Sequence, residues 1–472
     1  MTSDAGAVPP GTTGRAHAET TGHAHATGPA TRALAPRAGD NAMIAFATLT
    51  LFTLLAGDFW RDLIGWLGWG ILAGCLAVGC AVYLVVRRPS RDARVPRMPF
   101  RKVPKSLALF LLLALISVAW SFYRGPTAIA FVSQTVTTLA GAFLALRLSW
   151  RQVLRALGAA LRWVIGLSLL FELIVSVFIR HPVLPLVHQP GGDYSASTLP
   201  KAYYWSRNLL FHGGQIQGIL GNSNLLAMCT LLALIVFGIQ LRDRTVRRAA
   251  GIVWLALAAA TFILTRSSTV ILAAVAVAIV LGFALWTRHV SPARRAPVYA
   301  TALAALVVLT ASAILAWNSI LTVFGKSEDL TGRVTIWHDV IGLASQRPVF
   351  GWGWVSYWAP WVEPFKNLAE RHGVIYLQAH DAWLDVWLQL GIVGLVVFAA
   401  LVLSALGRSW FAAVDRPRTG LDTHAPFDAL SLLPLLLMAA LIAQSLAESR
   451  MLVEGGWAIL AMLAIKTKVD RA

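Results

Sequence analysis

From about Ala42 to Ile465 the chain alternates between apolar runs of roughly 17 to 24 residues and short polar stretches, the length at which a helix spans the hydrocarbon core of a bilayer. The runs lie near 42–57, 63–86, 107–122, 127–146, 157–179, 225–241, 251–264, 270–286 and 298–317, and three more end near Gly407, Leu446 and Ile465. This pattern predicts an all-α, polytopic membrane bundle of about 12 transmembrane helices. Among the polar stretches, a turn containing Trp60 and Arg61 joins the first two runs, and a shorter one containing Arg266 joins the seventh and eighth.

Basic residues fall in alternate connections. Arg87, Arg88, Arg91, Arg94, Arg97, Arg101, Lys102 and Lys105 crowd the one after the second run, and translocated loops rarely carry such a load. Arg147, Arg151 and Arg155, then Arg242, Arg244, Arg247 and Arg248, then Arg288, Arg294 and Arg295 keep the same phase. The phase puts both termini on the cytoplasmic side of a plasma (inner) membrane and two long connections outside, at about 180–224 and 318–381, the second between spans nine and ten. Residues 1–40, rich in Ala, Thr, Gly, Pro and His, lack the order of a cleavable signal and read as a disordered cytoplasmic tail before a membrane domain over 41–472. Its His17, His23 and His25 fit a solvated tail better than a metal site.

Composition sharpens this picture. Of 472 residues 57% are hydrophobic and 13% charged, which excludes an ordinary soluble domain. The formal charge of +18 would suit nucleic acid, but its confinement to alternate loops assigns it to topology, so membrane lipids are expected as surroundings and nucleic acid is not. Cys75, Cys80 and Cys229 lie inside apolar runs and read as small core residues. No pair of interrupted helices recurs in the two halves, which argues against an inverted-repeat transporter.

The long connections place the chemistry on the outer face. From Arg333, the apolar positions Val334, Trp337, Val340, Ile341 and Ala344 mark one face of an interfacial helix, with Arg333 at its start, pointing to a cavity or snorkelling to headgroups. Pro348-Val349-Phe350-Gly351-Trp352-Gly353-Trp354 is a glycine-punctuated turn, and with Trp358 and Trp361 it suits either an aromatic belt or stacking on sugar rings. His380 sits at or just before a helix N-terminus, where the dipole disfavours imidazolium and leaves a base, or where the ring merely caps the helix. Arg207 and Arg266 are placed on the same face; three guanidinium groups and a histidine suit an anionic, diphosphate-bearing substrate. Glu172, inside the fifth run, must face water or a partner, a basic neighbour being the structural option.

Taken together, these residues resemble the O-antigen ligase and O-antigen polymerase superfamily, membrane glycosyltransferases that use polyprenyl-diphosphate-linked glycans. The resemblance lies in the many-span layout and the long late outer loop, with Gly221-Asn222-Ser223-Asn224 and Leu264-Thr265-Arg266-Ser267-Ser268. It lies also in the Arg333 to Trp337 spacing, the Pro348 to Gly353 turn, and His380 followed by Leu390-Gly391-Ile392-Val393-Gly394. One departure is Asp381, where family members usually carry an amide; it bears on ring orientation and acceptor specificity.

The resemblance implies that Arg207, Arg266 and Arg333 hold the diphosphate, that Trp337 and Asp381 contact substrate, and that His380 takes the proton of an acceptor hydroxyl in a single inverting displacement. The acceptor is a glycan or glycolipid. No cofactor is implied and no metal is expected, since the arginines supply the positive field and no carboxylate pair of the Mg²⁺ type is evident. A transporter or flippase for lipid-linked glycan, which moves the substrate unchanged, is the alternative, and a non-catalytic membrane scaffold a third.

Overall fold

The computed structural model of the protein describes residues 38–85, 102–187, 199–315, 327–366, 368–371, 374–416 and 425–470. Most of the expected cytoplasmic tail and the arginine cluster from Arg87 to Arg101 lie outside them. Among the described residues the regular structure is helical apart from one hairpin of two-residue strands, β1 (Glu370–Arg371) with β2 (Val374–Ile375), and an isolated bridge between Val183 and Ser206. The helices up to the second long connection are α1 (Ala38–Leu55), α2 (Gly57–Val85), α3 (Lys105–Ile116), α4 (Arg124–Arg147), α5 (Trp150–Ile174), α6 (Ser223–Arg242), α7 (Arg248–Thr265), α8 (Ser268–His289) and α9 (Ala296–Leu315). After it come α10 (Ser327–Ser345), α11 (Ala382–Val414), α12 (Leu433–Ser445) and α13 (Glu454–Val469).

Seven of these, α2, α4, α5 with its π-helical extension to Ile179, α6, α7, α8 and α11, are long and apolar enough to cross a membrane, so the protein is a multi-pass membrane protein. Four shorter apolar helices accompany them, at α1, α3, α9 and α12. The expectation of about a dozen crossings counts these and α13 as spans too.

Local sequence sets the helix starts. Ser149 and Gln152 form a reciprocal capping box on α5, Asn222 accepts from the amides of Asn224 and Leu225 on α6, Ser267 caps α8, and Asp381 caps α11. Trp60 and Arg61 do not lie in a turn, as the apolar pattern suggested: α2 already begins at Gly57, and its interruption comes later, at Gly65. Charged residues four positions apart depress a hydropathy average without breaking a helix.

Helices α6, α12 and α13 form the centre of the bundle, and Leu433 to Leu441 of α12 are buried without a gap. α13 lies so close along α4 that a Cβ on Gly141 would stand 2.7 Å from the Ala458 carbonyl oxygen, the small-residue packing that lets helices meet without a hydrophobic driving force. At the periphery Leu67, Ile71, Val78 and Val85 of α2 project outward, as side chains facing lipid do.

The two ends of the bundle differ. At one, basic side chains close on helix C-termini: Arg147 donates to the Leu84 carbonyl (2.6 Å), Arg288 to Ala413 (2.7 Å), Arg295 to Val414 (2.9 Å) and Lys466 to Leu148 (2.7 Å). Cations there satisfy orphan carbonyls and complement the dipole. At the other end lie the starts of α2, α6, α8, α11 and α13, and the candidate site.

Candidate active site

Helix α11 is the frame of the site. It breaks at Gly391, whose φ of +66° lies in the left-handed region, and a Cβ there would stand 2.1 Å from the Val349 carbonyl oxygen. The break frees backbone groups that pair with the glycine-rich turn: Trp352 and Gly353 donate to the Leu388 and Gln389 carbonyls (3.0 and 2.9 Å), and Ile392 donates to Pro348 (2.8 Å). The Leu-Gly-x-x-Gly pattern is thus a docking edge for the Pro348 to Gly353 turn. Trp354 and Trp358 are buried in the packing, neither a belt nor a sugar platform, and Trp358 Nε1 donates to Asp385 Oδ1 at 2.8 Å. Trp361, 77% exposed, is the one of the three that stands outward.

At the start of α11, Asp381 Oδ1 accepts from the amides of Trp383 (2.8 Å) and Leu384 (2.9 Å). Burial raises its carboxyl above the ordinary range and these two amides oppose that. The adjacent His380 takes a left-handed φ of +54°, a conformation costing a non-glycine residue on the order of 1–3 kcal/mol. Beside it the Ala379 carbonyl accepts from Trp337 Nε1 (3.0 Å) and the Ala379 amide donates to Asp385 Oδ2 (3.0 Å), so α10 and α11 together hold the bend.

The His380 ring turns to a residue that sequence reading passed over. Its Nδ1 lies 3.0 Å from Oε2 of Glu448, at the end of α12, and Arg333 Nη2 donates to Oε1 of the same carboxylate at 2.8 Å. Asn224 Nδ2 and Gln378 Nε2 complete its shell, each at 3.2 Å. Burial alone would push this carboxyl up, but the charges of His380, Arg333 and Arg450 outweigh it and bring it down to about 2. A carboxylate only accepts, so Nδ1 carries a hydrogen, and in the neutral form of the ring the lone pair is on Nε2. The direct partner of the ring is therefore a carboxylate rather than the helix end expected from sequence.

The predicted residues are brought to one end of the bundle through shared neighbours. Arg333 Nη1 donates to Thr269 Oγ1 (3.2 Å) in α8, and Ser267 Oγ, beside Arg266, donates to Asn224 Oδ1 (2.7 Å), which leads to Glu448. Arg266 is the left-handed residue (φ +49°) between α7 and α8 and is exposed; its carbonyl accepts from Gln215 Nε2 (3.3 Å). Arg207 Nη2 donates to the carbonyl of that same Gln215 (3.3 Å) and its Nε to Gln217 Oε1 (3.1 Å). Burial draws the Arg207 guanidinium down from its ordinary value, with Glu172 opposing.

Three expectations are corrected. Arg333 lies nearly two turns into α10, which begins at Ser327, not at its start. The buried line of α10 is Ile336, Val340 and Ala344, while Val334 and Ile341 are exposed; in lipid surroundings apolar residues need not face inward, so the apolar stripe misplaces the face by a turn's edge. Glu172 pairs not with a basic side chain but with the amides of Gln217 (2.9 Å) and Gly218 (2.8 Å) and the hydroxyl of Ser206 (2.9 Å), fixing the segment that carries Arg207.

A second buried ionic cluster lies alongside. Arg61 contacts Asp58 and Glu454, and Arg450 contacts Asp58 (2.9 Å), Glu454 (3.6 Å) and the Tyr357 hydroxyl (2.6 Å). Burial would lower the Arg450 guanidinium, but Asp58, Tyr357 and Glu454 hold it above its usual value. Glu448 and Arg450 were visible as charges closing the apolar run that ends at Leu446, a placement that is costly unless paired. Among the described residues no group of three or more His, Cys, Asp or Glu gathers as metal ligands would.

Residues 252–399, from α7 into α11, match the family model described as O-antigen ligase. That stretch contains Arg266, Arg333, His380 and Gly391 but neither Arg207 nor Glu448. The exopolysaccharide production protein ExoQ of Rhizobium meliloti (strain 1021) is 26% identical over 160 residues. The match covers 32% of this chain and 35% of that protein, about a third of each. Both matches support a similarity to the O-antigen ligase and O-antigen polymerase superfamily, the first over the segment from α7 into α11.

Proposed function

We propose that the protein transfers a glycan from a polyprenyl-diphosphate donor to an acceptor hydroxyl, on the side of a plasma membrane facing away from the cytoplasm. The basic residues gathered at the opposite end of the bundle support this sidedness. The carrying observation is that His380 and Arg333 share the buried carboxylate of Glu448. Glu448 holds Nδ1–H, leaving Nε2 to take the acceptor proton as the hydroxyl oxygen attacks the anomeric carbon. The bond from that carbon to the diphosphate oxygen breaks, its electron pair leaves with the polyprenyl diphosphate, and the configuration inverts.

The developing charge is met by Arg266, Arg207 and the N–H groups of Arg333 not turned to Thr269 and Glu448. An anion brought to Arg207 also relieves the desolvation that burial imposes on it. Asp381 acts as the cap that fixes the bend at His380, and Trp337 ties α10 to it, so both support the site from behind rather than gripping substrate. The acceptor is a glycan or glycolipid.

The test uses the full chain in proteoliposomes with a polyprenyl-diphosphate-linked glycan, following both released polyprenyl diphosphate and the new glycosidic bond. His380→Ala abolishes both while membrane insertion is unchanged. Arg333→Lys keeps the charge but loses the planar fork, and the rate falls by roughly 100-fold. Translocation of intact donor with no released polyprenyl diphosphate overturns the reading in favour of a transporter.

A further inference from the structure

Next to the base lies a cavity of about 280 Å³, lined by Asp58, Arg61, Asp62 and Trp66 of α2, by Tyr203 to Trp205, by Asn222, and by Tyr357, Tyr376, Gln378 and Arg450. Two of its walls belong to the catalytic cluster as well. The Tyr376 ring packs edge-on against the His380 ring at 5.2 Å, and Gln378 bonds Glu448 at 3.2 Å. Arg207, Arg266 and Arg333 do not line it.

Its chemistry differs from that of the arginine group. Arg61 and Arg450 are both neutralised by Asp58 and Glu454, and Asp62 adds a further carboxyl group to the lining. With no surplus positive charge the cavity does not suit a phosphate. Its lining instead combines aromatic rings, Trp66, Tyr203, Tyr357 and Tyr376, with the acceptors and donors of Asp62, Asn222 and Gln378, the mixture that receives the apolar face and the hydroxyls of a sugar ring. The volume sits at the low end of ligand pockets, roughly 300–1,000 Å³, and holds a unit of monosaccharide size rather than a lipid chain. Gly221 keeps the floor open, since a Cβ there would stand 3.2 Å from Asp62 Oδ2.

We propose that this cavity is a subsite for one uncharged sugar residue of the acceptor, seated on the aromatic wall of Trp66, Tyr203 and Tyr376 so that its hydroxyl meets the His380 ring. The role as acceptor subsite rests on the transfer reading above; sugar binding itself does not.

The experiment is saturation-transfer NMR on the full chain in nanodiscs with three probes: a neutral disaccharide of glucose or galactose, glucuronic acid, and inorganic pyrophosphate. The neutral disaccharide receives saturation from wild type, pyrophosphate does not displace it, and glucuronic acid binds more weakly. Trp66→Ala weakens the disaccharide by roughly three- to tenfold, whereas Trp66→Phe holds it within about twofold. Trp66 is 47% exposed, and Tyr203→Ala supplies a second variant on a different segment with the same expected loss. Displacement by pyrophosphate, preference for the uronate, or indifference to both aromatic substitutions overturns the subsite. Retained disaccharide binding in a protein that releases no polyprenyl diphosphate leaves the cavity a sugar site and removes the transfer reading instead.

Discussion

Replacing Glu448 with Gln keeps the shape of the side chain and removes its charge. The carboxyl is drawn from 4.5 to about 2 by its surroundings, chiefly His380 and Arg333, which amounts to roughly 3 kcal/mol of preference for the charged form. About half to all of that is exposed to the reaction, because the protonated ring formed during transfer depends on the same carboxylate that the resting ring touches at 3.0 Å. A loss of about 1.5–3 kcal/mol corresponds to roughly 10- to 150-fold in kcat. The Gln amide nitrogen, a donor, would also face either Nδ1–H or a guanidinium, so the geometry suffers with the charge. The assay is release of polyprenyl diphosphate in proteoliposomes over a range of donor concentrations. Because Glu448 acts through the ring rather than on the donor, kcat falls while KM for the donor changes by less than about threefold. Wild-type kcat in a correctly inserted Glu448→Gln protein would refute the shared-carboxylate mechanism, and an effect confined to KM would reassign Glu448 to holding Arg333 for binding alone.

Three further outcomes follow from the geometry. Because Glu448 is depressed in the folded state, its contribution to stability is complete above pH 4.5 and is lost as pH falls toward about 2; thermal unfolding in nanodiscs from pH 5 to pH 3 therefore falls more steeply for wild type than for Glu448→Gln. Gly391→Ala forces a Cβ onto the Val349 carbonyl oxygen and breaks the adjoining pairings at a cost of about 3 kcal/mol, whereas Gly407→Ala in the same helix, with open space around it, is neutral or mildly stabilising by the same unfolding measurement. Glu172→Gln costs less than about 1.5 kcal/mol, since its carbonyl still receives two amides and its N–H₂ can meet Ser206, while Glu172→Leu strands all three partners and costs about 3 kcal/mol or more; equal effects of the two would show that the charge matters after all.

Much of the scaffold was legible because a bilayer imposes length and polarity on each helix: the runs that mark α4, α6, α7 and α8 are local signals. Arg266 in its short turn and His380 ahead of α11 were equally local. Glu448 was not, because its meaning depends on α12 delivering it to a histidine 68 positions earlier, and no periodicity encodes that encounter. Trp354 and Trp358 misled for a related reason: tryptophan near a headgroup boundary and tryptophan packed beneath a loop look alike in sequence, and only Asp385 and the Gly391 break separate them. The Asp58, Arg61, Arg450 and Glu454 cluster is drawn from opposite ends of the chain, so its charges looked like isolated boundary residues.

The junction at Gly391 has a consequence for how this protein tolerates change. The turn from Pro348 to Gly353 is stitched to a membrane helix by main-chain groups, which every amino acid except proline supplies in full. Exposed residues such as Val349 and Phe350 can therefore drift in identity while the histidine beyond the seam stays in place, and the outer surface can be remodelled for a new glycan without retuning the catalytic bend. Random mutagenesis of that seam would return a varied set of active sequences with glycine retained at 351, 353 and 391.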